Sequence, residues 1–244
     1  MKNNLLVFAS KKGGLNLVEY LLSINAPLAR VIVASHSDTG IIKAVSSREV
    51  PVSVYDRDLT LWLPAEGHSY GWLLNLWSPH ILKPSVLALA NHRLNIHPSL
   101  APYCRGNDNA AWTLRKNVPA GVSLMEMGEN IDGGDIYIQR EVPYLFPVRG
   151  KELNARLINE ANNLFQDNWP SIYAKDLIPY PQNGTASYHT RSETEQDRVR
   201  DFSEVTTIGN CLQWVLAHDF SPGTTAELDS NGKKFKVTVS LEEI

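Results

Sequence analysis

The sequence predicts an α/β fold: a mainly parallel β-sheet with helices packed on it, followed by a small helix and β-hairpin. Three observations carry this. Short continuous apolar runs, which mark strands buried on both faces, recur through the first hundred residues. Segments with apolar residues at three- to four-residue spacing lie between them, as in βαβ units with right-handed crossovers. The tail instead places Asn231-Gly232 between two alternating stretches, which is a hairpin signature.

Leu5-Leu6-Val7-Phe8-Ala9 is the first buried strand, and Ser10-Lys11-Lys12-Gly13-Gly14 leads from it into a helix with Leu15, Val18, Leu21 and Leu22. Arg30–Ala34 is the second strand, and Ile41, Ile42 and Val45 mark a short helix. Val52–Tyr55, Leu73–Trp77 and Leu94–His97 are the third, fourth and fifth strands; Pro98 stops the last. Gly121–Met127 reads as a further strand, and Ile136, Ile138 and Val142 mark another. A long helix follows from about Lys151 to Trp169, with Pro170 expected to end it. Its stripe of Leu153, Leu157, Ile158, Ala161, Leu164 and Phe165 is a core face. Residues 177–204, rich in Pro, Gly, Ser, Thr and charge, read as a linker. The tail has a short helix around Cys211–Ala217 and a hairpin of Thr224–Asp229 with Lys234–Leu241. The expected division is therefore 1–176 as the catalytic domain, 177–204 as linker and 205–244 as a small helix-and-hairpin subdomain.

Composition narrows the function. The 26 acidic and 23 basic residues give a net charge of −3, which disfavours a general nucleic-acid binder. Apolar residues at 43% and charged residues at 20% suit a folded globular chain. No apolar run approaches the roughly 18–20 residues of a membrane span, so no membrane partner is expected. Met1–Asn4 leads directly into a run too short for a secretory signal. Cys104 and Cys211 are far apart, which points to a reducing, cytoplasmic setting and makes the Asn183-Gly184-Thr185 sequon a chance match.

The chemistry concentrates in two segments. In Leu94-Asn95-Ile96-His97-Pro98, Asn95 and His97 lie two apart in a strand and face the same way. The carboxyl end of a parallel strand is where ligands bind. An amide there can hold a developing oxyanion, and an imidazole can move a proton near neutral pH. A pair of loop-capping side chains is the plainer reading. After the Gly121–Met127 strand comes Gly128-Glu129-Asn130-Ile131-Asp132-Gly133-Gly134-Asp135-Ile136. Asp132, just before glycines that allow close backbone approach to a ligand, can orient His97 or take a proton; its plainer reading is a turn former. No histidines show metal-ligand spacing; His92 and His97 are five apart across a strand start, so no metal site is expected.

Together, Asn95-x-His97-Pro98-Ser99-Leu100 with Arg105-Gly106, followed by Ile131-Asp132-x-Gly134-Asp135-Ile136, resemble the signature of the folate-dependent N-formyltransferases. The resemblance covers roughly residues 1–145. It implies a Rossmann-like sheet with helices on both faces, N10-formyltetrahydrofolate as donor, and Asn95, His97 and Asp132 as the catalytic trio. It implies a pterin pocket walled by Pro79, His80, Ile81 and Leu82 on one side and Glu129, Asn130 and Ile131 on the other. His80 also reads as a solvated loop histidine. In ribonucleotide-formylating relatives the first strand–helix loop holds phosphate. The resemblance therefore points to Ser10, Lys11, Lys12 and Gly13 for the acceptor, with Arg105 as a further phosphate contact.

The C-terminal part resembles a trimmed version of the family's β-unit. That fits bacterial enzymes acting on nucleotide-linked amino deoxysugars, such as a dTDP-4-amino-4,6-dideoxyglucose-like acceptor for surface (lipopolysaccharide O-antigen) polysaccharide. A homodimer is expected, with the hairpin beside the interface. Formylation of another small amine, glycinamide ribonucleotide or hydroxyornithine, is the alternative; a non-catalytic Rossmann-type binding domain is the remaining one. A formyl-folate hydrolase, whose relatives carry a regulatory domain ahead of this one, is disfavoured.

Overall fold

A computed structural model describes residues 4–244; residues 1–3 of the expected first domain lie outside the described residues. The chain runs β1 (Leu5–Ala9), α1 (Lys11–Ser23), β2 (Leu28–Val33), α2 (Thr39–Ser46), β3 (Val52–Val54), α3 (Leu59–Ala65), β4 (Tyr70–Leu76), α4 (Pro84–Leu87) and β5 (Ala90–His97). Then come β6 (Arg105–Gly106), α5 (Asn109–Lys116), β7 (Gly121–Glu126), β8 (Ile136–Glu141) and α6 (Gly150–Ala174). The rest holds β9 (Tyr188–His189), α7 (Arg191–Asp197), β10 (Val199–Asp201), α8 (Ile208–Ala217), β11 (Ala226–Ser230) and β12 (Lys233–Val237). Two compact units emerge. The first comprises residues up to His97 with Leu124–Ile138 and Ala161–Gln182; the second comprises Pro98–Ser123, Gln139–Glu160 and Asn183–Ile244.

The first unit is Rossmann-like. Its sheet has the order β3-β2-β1-β4-β5-β7-β8. The pairs β3–β2, β2–β1, β1–β4 and β4–β5 are parallel, as expected from the alternating pattern. Leu5 to Ala9 are fully buried because both faces of β1 are covered. Chain order reverses between β1 and β4, the switch point beside which open α/β sheets bind ligands. Helix α1 buries Leu17, Val18 and Leu21; Leu15 and Leu22, expected on that stripe, are only half-buried.

Helix α6 does not end before Pro170 but continues to Ala174. A proline removes one backbone donor and leaves the carbonyl four residues earlier unpaired. That carbonyl belongs to Gln166, and the Tyr20 hydroxyl donates to it at 3.0 Å. The lost bond is thus replaced from another helix, and Phe165, Trp169 and Ile172 keep their places in the core.

In the second unit β6 pairs with β9, and β10, β11 and β12 form a three-stranded sheet. The stretch read as a linker contains β9, α7 and β10; α7 is held by a capping box between Thr190 and Glu193. Asp197, at the end of α7, accepts from Arg115 at 2.7 and 3.0 Å and lies 2.7 Å from His218 Nε2. Burial alone would raise its carboxyl pKa, but the bonds from His218 and Arg115 outweigh that and hold it well below the usual carboxylate range. Local composition could not show these partners, which come from distant residues. The hairpin forms around Asn231 (φ 52°) and Gly232 (φ 80°), both in the left-handed region as a type I′ turn requires. Val237 and Val239 pack with Trp214, Val215 and Ala226, whereas Phe235 and Leu241 stay exposed.

Among the described residues no helix is long and apolar enough to cross a membrane, and no group of three His, Cys, Asp or Glu residues is placed to hold a metal.

Candidate active site

The site begins with the alternation of β5. Leu94 and Ile96 enter the core, so Asn95 and His97 point together to the other face at the strand's carboxyl end. The turn between β7 and β8 brings in Asp132, held with a left-handed backbone at φ 49°. Asn95 Nδ2 donates to Asp132 Oδ1 at 3.0 Å, and Asp132 Oδ2 lies 3.5 Å from His97 Nδ1. The structure therefore brings all three expected residues together. The His97 and Asp132 side chains are only 3% and 11% exposed.

With Nδ1 turned to Asp132, His97 is left with Nε2, which is buried and has no hydrogen-bond partner among the described residues. A buried polar atom without a partner is costly unless a ligand supplies one. Asn95 likewise keeps a second amide hydrogen beyond the one given to Asp132. A carboxylate, an imidazole nitrogen and an amide N–H thus meet at one point, groups that can take up a proton and hold a developing oxyanion.

Two residues that hold this set were not singled out from the sequence. Asn75, opposite Asn95 in the parallel register of β4 and β5, donates from Nδ2 to Asn95 Oδ1 at 3.0 Å. Its signal was present: it is the lone amide in Tyr-Gly-Trp-Leu-Leu-Asn-Leu. Gln182 Nε2 donates to the carbonyls of Asp132 (2.9 Å) and Gly134 (2.8 Å), fixing the turn from a segment fifty residues away in sequence. No local pattern reveals that contact. Gly134 was expected to give room to a ligand. In fact its bare Cα gives room to β7, since a Cβ there would overlap the Glu126 carbonyl.

The residues expected around the pterin sit on the same unit. Pro79 and Ile81 are exposed on the loop after β4, and Ile81 is 69% exposed. Glu129, Asn130 and Ile131 are exposed on the turn before Asp132. Leu82 packs on the Leu6–Phe8–Ile32 core. His80 is not a solvated loop residue: its ring stacks on Tyr55 at 3.6 Å, and Nε2 lies 3.4 Å from the Ala34 carbonyl.

The first strand–helix loop differs most from expectation. Asp38, at the start of α2, accepts from the Ser10 hydroxyl (3.1 Å), the Lys11 amide (2.7 Å) and the Ser35 amide (3.2 Å). The chain's own carboxylate thus sits at the N-terminus of α1, where the resemblance implied a phosphate. Gly13 and Gly14 are buried for packing. A Cβ at Gly13 would lie 2.9 Å from the Trp77 ring, and one at Gly14 2.8 Å from the Leu76 carbonyl. Lys11 and Lys12 are exposed. Arg105 lies half-buried on β6 in the second unit, its amide donating to the Ser187 carbonyl at 2.8 Å.

The chain is similar to known proteins. Residues 76–168, which include Asn95, His97 and Asp132, match the formyl transferase family model. A methionyl-tRNA formyltransferase of Syntrophus aciditrophicus (strain SB) is 32% identical over 146 residues, 59% of this chain and 45% of its own. The chain thus spans about half the length of that relative. A 4-N formyltransferase from Francisella tularensis shares the fold at TM-score 0.83 and 20% identity, with 99% of each chain covered. An N-formyltransferase from Helicobacter canadensis, solved with folinic acid and dTDP-3-aminofucose, shares it at TM-score 0.71 and 18% identity, covering 89% of this chain and 80% of its own.

Proposed function

We propose that this chain, whose residues 76–168 match the formyl transferase family model, moves the formyl group of N10-formyltetrahydrofolate to the primary amine of a nucleotide-linked amino deoxysugar. The observation that carries the reading is the buried, partnerless Nε2 of His97 beside the Asn95–Asp132 pair, inside the matched residues. The likeness in fold to the dTDP-3-aminofucose-bound enzyme supports a sugar acceptor.

The chemistry follows from the three side chains. The amine attacks the formyl carbon, and negative charge grows on the formyl oxygen, where the Asn95 amide donates. The carbon–N10 bond then breaks. N10 gains one proton and the attacking nitrogen loses one, with His97 Nε2 as the carrier and Asp132 holding the ring by Nδ1. Losing one oxyanion donor of this kind typically costs about 3–4 kcal/mol of barrier. Pro79, His80, Ile81 and Leu82 with Glu129, Asn130 and Ile131 are proposed as the folate's walls. The exposed Ile81 and Ile131 offer it apolar surface.

For the acceptor, the Lys11 and Lys12 ammonium groups are the proposed phosphate contacts on the first unit. The Ser10 hydroxyl and loop amide are engaged by Asp38, and Gly13 serves packing. Arg105 is proposed as a phosphate contact on its own unit. Engagement of the loop by Asp38 also weighs against glycinamide ribonucleotide. Residues 1–176 are the proposed catalytic domain, with 177–204 and 205–244 following it. The proposed setting is the cytoplasm, with both cysteines free and the product feeding surface polysaccharide.

Incubation with N10-formyltetrahydrofolate and a panel of amines tests the reading. The panel holds dTDP-4-amino-4,6-dideoxyglucose, its 3-amino counterparts, glycinamide ribonucleotide, hydroxyornithine and methionyl-tRNA. Mass gain of one formyl group on a nucleotide sugar is the expected result. Transfer to another amine alone would overturn the acceptor class. No transfer, with no rise in melting temperature on adding folinic acid, would overturn the folate reading.

A homodimer is the proposed assembly, since Phe202, Val205, Ile208 and Phe235 leave large apolar side chains exposed in the C-terminal segment. Sedimentation velocity at micromolar concentration is expected to show a dimer, weakened by Phe235→Glu. A monomeric wild-type chain would end this proposal.

A further inference from the structure

We infer that Asn75 is a positioning residue that, together with Asp132, holds the Asn95 amide with its nitrogen toward the reaction, and thereby sets turnover. The inference rests on the formyl-transfer reading above. It starts from a group whose polarity cannot be reversed. The Ser78 backbone N–H only donates, and it donates to Asn75 Oδ1 at 3.1 Å. That fixes the Asn75 amide with its oxygen toward the loop and its Nδ2 toward β5.

Asn75 Nδ2 then donates to Asn95 at 3.0 Å, which requires the Asn95 oxygen to face it. Asn95 is left with Nδ2 turned the other way, donating to Asp132 Oδ1 at 3.0 Å. The donor-only Ser78 N–H at one end and the acceptor-only Asp132 carboxylate at the other thus agree on one direction for every bond between them. If the Asn95 amide were inverted, its oxygen would meet both the Asp132 carboxylate and the growing charge on the formyl oxygen. Both contacts repel. The register places Asn75 for this task, because Asn75 and Asn95 are direct partners across the parallel β4–β5 pair and share a face. Asn75 is only half-buried at the end of a strand that is otherwise almost wholly apolar, so the amide is not demanded by packing.

The test is a pair of near-isosteric variants. Asn75→Asp turns a donor into an acceptor and should invert or displace the Asn95 amide; Asn75→Leu removes the tether without adding charge. The assay follows formyl transfer from N10-formyltetrahydrofolate to dTDP-4-amino-4,6-dideoxyglucose. A loss in kcat of about thirtyfold or more is expected for Asn75→Asp and about tenfold for Asn75→Leu, with the KM for folate nearly unchanged. In an Asn95→Ala background neither substitution should lower kcat further, because Asn75 acts only through Asn95. Asn75→Asp with kcat within about twofold of wild type, or losses that multiply with Asn95→Ala, would overturn the inference. A crystal structure of Asn75→Asp at a resolution that separates amide nitrogen from oxygen reads the same point without catalysis. An Asn95 amide still donating to Asp132 there would overturn it; one turned toward the new carboxylate would support it. A wild-type chain that transfers no formyl group to any amine of the panel sinks the formyl-transfer reading instead, and the crystal structure alone then decides the orientation.

Discussion

Replacing His97 with alanine is expected to lower kcat by about a hundredfold or more at saturating folate and acceptor, with Asn95→Ala and Asp132→Asn losing comparable factors. In the proposed mechanism the three side chains act on one transition state. In the proposed reaction Asn95 donates to the formyl oxygen and His97 offers its unpaired Nε2, while Asp132 contacts both side chains. Residues that act as a unit lose non-additively, so the double variant Asn95→Ala/His97→Ala should be little slower than the worse single one. Asp132→Asn changes one atom and no volume, and separates chemistry from packing. Steady-state kinetics with circular dichroism as a check on folding gives the measurement. Near-normal kcat for His97→Ala in a folded protein would refute the proposed mechanism.

Gly134→Ala is expected to destabilise the protein by about 3 kcal/mol and to lower activity as well. A Cβ at this position overlaps the Glu126 carbonyl, and backbone cannot turn aside as a flexible side chain can. The turn must shift, and Asp132 lies two residues away on it. The Gln182 bonds to Asp132 and Gly134 would be strained together. Gly128→Ala, on the same connection but with open space around its Cα, serves as the control and should change stability by no more than about 0.5 kcal/mol. Urea denaturation of the two variants decides it; equal stabilities would show that the turn yields freely.

What the sequence made legible was what depends on neighbours in the chain. The apolar runs of β1 and β2, the stripe of α6 and the Asn231-Gly232 turn are local signals, and the structure bears them out apart from Ile158 of the stripe, which is only half-buried. Asn95 and His97 were found because alternation in a strand puts them on one face. The remainder depends on contacts across the fold. Pro170 reads locally as a helix stop because its rescue by the Tyr20 hydroxyl comes from far away in sequence. Residues 177–204 read as linker by composition, which hides the long-range partners of Asp197. Asp38 and Gln182 carry no local sign of their roles. Asn75 did carry one, as an amide in an apolar strand.

The Asp38 carboxylate has a consequence for selection among anions. It is tethered through its own loop, so the N-terminus of α1 sees it at an effective concentration on the order of millimolar or above. A diffusing phosphate must outcompete that internal ligand and leave a carboxylate to be resolvated. If the proposed acceptor binds at this end of the sheet, the loop would discriminate by prior occupancy, whatever the size or shape of the visitor. Abundant small phosphates would pass this end of the sheet without lodging there, leaving the lysine side chains beside it to recognise acceptors that bring further contacts of their own.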